Sequence, residues 1–147
     1  MRPILALCVA FGLGLPAFGA EPTAPAPEVA PEPGDIPPEE WRALVRGQTL
    51  HYRINGEHWA LEQYAPSGNG VVLQLLQSGE CLTGTWAYDS GQYCFSWDSG
   101  ETSCFRHTRV AGQIVVIHMV DGSPTGGVQT MDLAGEVPLT CAGQYTS

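Results

Sequence analysis

The chain contains no lysine, and its six arginines stand against fifteen Asp and Glu, a formal net charge of −9 over 147 residues. Without a basic stripe it offers no footprint for a phosphate backbone, which excludes nucleic acid as a partner, and an anionic membrane surface repels it. Long apolar runs are missing as well. The longest, Ile4 to Leu15, spans twelve residues, whereas a permanent membrane span needs about 20. Signatures of chemistry are also lacking. There is no Gly-x-Ser-x-Gly and no Cys-x-x-Cys-His, and Gly126-Gly127 has neither the lysine nor the strand–loop–helix setting of a phosphate loop. No catalytic residues, cofactor or resident metal are therefore expected.

What is present begins with an export signal. Arg2 gives a positive start, the apolar run follows, and Ala17, Gly19 and Ala20 supply small residues for cleavage after Gly19 or Ala20. Residues 1–20 read as a signal peptide, which predicts a periplasmic or secreted protein with no membrane contact once the signal is cut. The remaining chain holds five arginines and fifteen acids, so 5 − 15 gives a net charge of −10. Residues 21–38 are rich in Pro, Ala and Glu and carry no aromatic side chain. They cannot bury enough apolar surface to order, and they read as an extended tether. The folded domain is then 39–147.

Pro37-Pro38-Glu39-Glu40 suits a helix start, Trp41, Leu44 and Val45 form a stripe at helical spacing, and Gly47 suits its end. This predicts one short helix laid over the core or plugging one end of it. From Gln48 on, short β-branched and aromatic runs alternate with glycine-bearing turns, about eight strands in all. Nearest-neighbour hairpins throughout give an all-β antiparallel meander that closes into a small barrel or stays a strongly bent sheet. A two-residue turn at Asn55-Gly56 sets Ile54 against Glu57 and predicts Tyr52 opposite Trp59 and Leu50 opposite Leu61, with His51, Arg53, His58 and Ala60 on the other face. Further strands are expected over Val71–Leu76, Cys81–Tyr88, Ile114–Val120 and Val128–Leu133, with a loose loop from Asp121 to Gly127.

Turns at Ser90-Gly91 and at Asp98-Ser99-Gly100 pair Tyr88 with Tyr93, Trp86 with Phe95, and Cys94 with Cys104. A directly facing cross-strand pair lies within disulfide reach, which predicts Cys94–Cys104. Cys81–Cys141 follows by elimination and ties the C-terminal tail to the sheet. An even number of cysteines in a short exported chain implies an oxidising compartment.

At Gly84-x-Trp86, Gly91-x-Tyr93-Cys94-Phe95 and Cys104-Phe105, the chain resembles a family of small exported alphaproteobacterial proteins of unknown function, described as lipocalin-like or β-barrel-like. The match covers about Gln48 to Val120. Phe105 stands where the family often has tryptophan. The resemblance implies a barrel and the Cys94–Cys104 pair, and it carries over no catalytic residue.

His51 and His58, with Glu62, are the nearest approach to a metal set, but their spacing is sparse and an exposed polar face accounts for the histidines. His118 reads as an ordinary strand histidine. Paired acids such as Asp98 and Glu101 read as solvated turn residues. The aromatic residues are more informative. Tyr52, Trp59, Trp86, Tyr88, Tyr93 and Phe95 are candidates to line a barrel interior that accepts a small apolar or amphipathic ligand. The composition favours a filled core over an open one, since eight-stranded barrels can pack solid. Two functions compete: a ligand-binding module, and a protein-interaction or inhibitor module using the loops Asp98–Glu101 and Asp121–Gly127. An enzyme ranks last, because no residues assign nucleophile, base and stabiliser together.

Overall fold

A computed structural model describes residues 34–135 and 137–141. The expected signal peptide and most of the expected tether lie outside them. One helix, α1 (Pro38–Val45), precedes eight strands: β1 (Thr49–Ile54), β2 (Glu57–Tyr64), β3 (Gly70–Leu75), β4 (Cys81–Asp89), β5 (Gln92–Trp97), β6 (Thr102–Val110), β7 (Gln113–Val120) and β8 (Ser123–Leu133). The strands pair with their neighbours in chain order, and β8 returns to β1 through Leu50–Leu133 to Arg53–Thr130, closing an antiparallel barrel. Closure removes the free edges that a bent sheet would expose. Among the described residues no helix is long and apolar enough to cross a membrane.

Turn chemistry drives the meander. Asn55 and Gly56 both adopt positive φ, 53° and 85°, the combination of a type I′ turn, and Ser90-Gly91, Ala111-Gly112 and Asp121-Gly122 repeat it. The last of these corrects an expectation. Asp121 to Gly127 is not a loose loop: a two-residue turn at Asp121-Gly122 leads straight into β8, whose Ser123 and Pro124 pair with Val120 and Met119. A glycine-rich, apolar-poor segment hides this strand from a composition reading.

The first hairpin also departs from its expected register. The turn sets Ile54 against Glu57 and Arg53 against His58 as the Asn-Gly pair dictates. A bulge then skips Trp59, so Tyr52 faces Ala60, His51 faces Leu61 and Leu50 faces Glu62. The extra residue switches the phase of β2 and turns Ala60, Glu62 and Tyr64 inward, all buried. A small side chain now sits beside the Tyr52 ring, where a tryptophan on the same rung would crowd a narrow interior.

The β4–β5 and β5–β6 registers agree with expectation, as do both disulfides. Trp86 faces Phe95, Tyr88 faces Tyr93, and Cys94 bonds Cys104 at a Cα separation of 4.1 Å. Gly84, in the Gly-x-Trp segment, lies where a Cβ would collide with the Ser96 carbonyl, so only glycine permits this strand approach. Cys81 bonds Cys141, and the segment from Val137 to Cys141 crosses the outside of the sheet. There Leu139 and Cys141 cover Val72, and Gln74 hydrogen-bonds Thr140. That cover explains why β3 is buried on both faces from Val71 to Gln74.

Helix α1 closes the barrel end that carries the β2–β3, β4–β5 and β6–β7 turns. Trp41 and Val45 are its buried residues; Trp41 packs edge-on to Tyr64 and against Tyr93 and His107. Arg42 donates to the Gly68 carbonyl and to Asn69, with its guanidinium 4.4 Å above the Trp86 ring. Glu40 pairs with Arg109. Leu44, expected beside Trp41 over the core, is only partly buried. The chain is engaged ahead of the expected start at residue 39: Asp35 bridges Thr108, and Ile36 is buried, donating its amide to the His107 carbonyl.

Candidate functional site

The opposite end of the barrel, bearing the β1–β2, β3–β4, β5–β6 and β7–β8 turns, is open. A cavity of about 440 Å³ runs down from it. This corrects the expectation of a filled core. The helix fills only the closed end with rings, and the strands beyond it hold the walls apart.

Alternation along each strand builds the cavity wall. Leu75, Leu82, Glu101 and Thr102 stand beside the turns and form the rim. Trp59, Trp97 and Phe105 come next. The Trp59 indole N–H donates to Gln129 Oε1 at 3.0 Å, joining β2 to β8 across the wall, and the Trp97 indole donates to Ser103. Phe95 stacks on Trp97 at 5.7 Å and meets Phe105 edge-on. Leu73 and Val116 complete the apolar lining below.

The deepest part of the cavity is polar. Glu62 is 3 % exposed, and the Tyr52 hydroxyl donates to its Oε2 at 2.6 Å. Removal from water penalises the ionised carboxyl and pushes it up to about 7, a rise that the Tyr52 and Tyr64 hydroxyls moderate. The same burial, together with the nearby Glu62 carboxyl, pushes both tyrosines well above their ordinary range, so they stay neutral. His107 is 1 % exposed, stacks flat on Tyr93 with ring centres 4.2 Å apart, and also faces this space. Burial holds it down to about 3, so it is the neutral imidazole. Neither of its ring nitrogens has a hydrogen-bond partner among the described residues. Buried polar groups left in this way ordinarily meet water or a ligand.

Of the six aromatic residues expected to line the interior, Tyr52, Trp59 and Phe95 do so. Trp86 and Tyr93 are buried toward the closed end instead, against Tyr64, Trp41 and the cation of Arg42, and the Tyr93 hydroxyl donates to the Ile36 carbonyl. Tyr88 packs on Tyr93. Glu62 and His107 were not expected in the lining. The bulge at Trp59 moved Glu62 from the outer face to the inner one, and Glu57–Tyr64 contains no glycine or proline to mark it in advance. For His107, the strand alternation through Cys104 was the available signal. It gives the phase of β6, although not its depth.

The histidine set does not assemble a metal site. His51 and His58 meet edge-on at 5.2 Å on the outer face, while Glu62 points inside. No group of three His, Cys, Asp or Glu able to hold a metal occurs among the described residues. His118 packs on Phe105 and its Nδ1 lies 2.9 Å from the Thr125 hydroxyl. Comparison of the chain with protein-family models, with curated proteins and with solved structures finds no match.

Proposed function

We propose that this protein is an exported, periplasmic binding module that carries a small amphipathic ligand inside its barrel. The observation that supports the reading is a cavity of about 440 Å³, open at one end, with mainly aromatic and aliphatic walls and polar groups gathered at its rim and base. Such a volume lies in the range of small-molecule sites, and apolar walls with a few convergent polar groups are their usual composition. Two disulfides fit an oxidising compartment, and the barrel agrees with the lipocalin-like family that the Gly-x-Trp and Cys-Phe segments resemble. Burial of an apolar ligand at about 25 cal/mol per Å² provides the driving force.

Titration of the oxidised protein with phenylnaphthylamine, a probe that brightens in apolar surroundings, tests the reading. Saturable enhancement with one site per chain is expected, with a Kd in roughly the micromolar range. A Val116→Trp substitution, which fills the cavity from β7, should abolish that enhancement while leaving the thermal transition cooperative. A linear, non-saturating response in the wild type would refute the binding module and return the protein-interaction reading to first place.

A further inference from the structure

We infer, building on the binding reading above, that the cavity is selective for amphipathic cations: the ligand's apolar body lies among the ring walls, and a protonated amine at its leading end pairs with the Glu62 carboxylate at the base. Three independent observations converge on this class. The first is the charge of the lining. The charged side chains that reach the cavity are Glu62 at its base and Glu101 at its rim, and no arginine is among the described lining residues. The arginines are engaged elsewhere: Arg42 with Gly68, Asn69 and Trp86, Arg53 with Asp132, Arg106 with Asp35, and Arg109 with Glu40, while Arg46 is exposed at the helix end. A carboxylate or phosphate head would therefore descend toward a buried acid with no compensating cation.

The second observation is the donor and acceptor balance at the base. Glu62 already accepts one hydrogen bond, from Tyr52, and its carboxylate has capacity for more. The neutral His107 ring presents one acceptor nitrogen, and neither of its nitrogens is engaged among the described residues. An ammonium group is donor only, with three N–H bonds, and it matches two acceptors that the protein leaves short of donors. The third is the wall. Trp59, Trp97, Phe95 and Phe105 surround the path to Glu62, and aromatic faces stabilise a desolvated cation. A buried carboxylate costs free energy while it stands alone, and pairing with a cation of good geometry offsets that cost.

The test uses three ligands of one chain length: n-octylamine, n-octanol and n-octanoate. Each competes for the phenylnaphthylamine site on the oxidised wild-type protein. At about pH 8 the amine should bind at least about tenfold more tightly than the carboxylate, with the alcohol between them. Other ionisable groups facing this interior are Tyr52 on β1, Tyr64 on β2, Tyr93 on β5 and His107 on β6, with His118 on β7 packed on Phe105 and Glu101 at the rim. The first three are raised and His107 is lowered, so none of these four changes charge between about pH 5.5 and 8. Lowering the pH to about 5.5 should shrink the amine's advantage severalfold while octanol binding holds. Glu62→Gln should remove the same advantage at about pH 8, with a cooperative thermal transition certifying its fold; the pH series repeated in His118→Gln separates Glu62 from the histidine packed on Phe105. The inference is overturned if octanoate binds as tightly as octylamine, or if the amine's advantage persists unchanged in Glu62→Gln or across the pH series. If none of the three ligands competes while phenylnaphthylamine binds, water alone occupies the base and the inference also falls. Failure of phenylnaphthylamine itself to bind is a different result, and it refutes the binding reading instead.

Discussion

Glu62 and His107 sit at the base of the same cavity, and their proton affinities are displaced in opposite directions. Glu62 rises from an ordinary 4.5 to about 7, so the empty protein loses stability as pH climbs from 4.5 through 7, about 3 kcal/mol in all. His107 falls from an ordinary 6.5 to about 3, so the protein loses stability as pH drops from 6.5 toward 3. Between 4.5 and 6.5 the two slopes oppose each other at about 1.4 kcal/mol per pH unit and nearly cancel. Their joint contribution in the wild type should therefore be almost flat with pH across that window. Urea unfolding at a series of pH values checks the cancellation. Glu62→Gln should change the slope so that stability gains about 2–3 kcal/mol from the low to the high end of the window, and His107→Phe should change it by a similar amount in the opposite direction. An unchanged slope in either variant would show that the group is not displaced by burial. Neither residue was legible as a site. Sequence spacing told which strands they lie on, but depth inside a barrel depends on closure by eight strands and a helix at once.

How legible each element is in the chain depends on local chemistry. Helix α1, the Asn55-Gly56 turn and the β4–β5–β6 ladder follow from short-range chemistry: proline and acids at a helix start, paired positive-φ residues at a turn, facing cysteines on one rung. The start of β8 was missed because Pro124, Gly126 and Gly127 are residues depleted in strands; its place is dictated by the β7 backbone beside it. The bulge at Trp59 was missed because it satisfies packing in the closed barrel, with Ala60 beside Tyr52, and leaves the turn itself unchanged. At this scale the disulfides make a comparison. Cys81–Cys141 spans 60 residues and holds the C-terminal segment over Val72, whereas Cys94–Cys104 spans 10 within one hairpin. Chain entropy assigns about 4 kcal/mol to the longer closure and about 3 kcal/mol to the shorter. Thermal melting should show a larger fall in Tm for the double Cys→Ser variant at 81 and 141 than for the one at 94 and 104. The reverse order would mean that the tail contributes little to the barrel.

At the scale of the whole molecule, one end is shut by the helix and the other is open, and the tryptophans divide along the same line. Trp59 and Trp97 line the cavity, while Trp86 lies beneath Arg42 near the closed end. The all-β antiparallel class, the nearest-neighbour topology and the Cys94–Cys104 link were legible because they rest on alternation and on turn spacing, whereas Cys81–Cys141 followed only by elimination and the same cues do not decide between a closed barrel and a bent sheet. The open interior was not legible, since the same aromatic content serves a packed core equally well. What distinguishes the two is how far Trp41 reaches from the helix, and it stops at Tyr64, Tyr93 and His107. Nuclear magnetic resonance of the indole N–H groups during titration with n-octylamine at about pH 8 tests the central claim most directly. If the cavity receives the ligand, the Trp59 and Trp97 signals shift together and saturate while Trp86 stays in place. Shifts confined to Trp86, or no saturable shift at Trp59 and Trp97, would contradict an interior binding site.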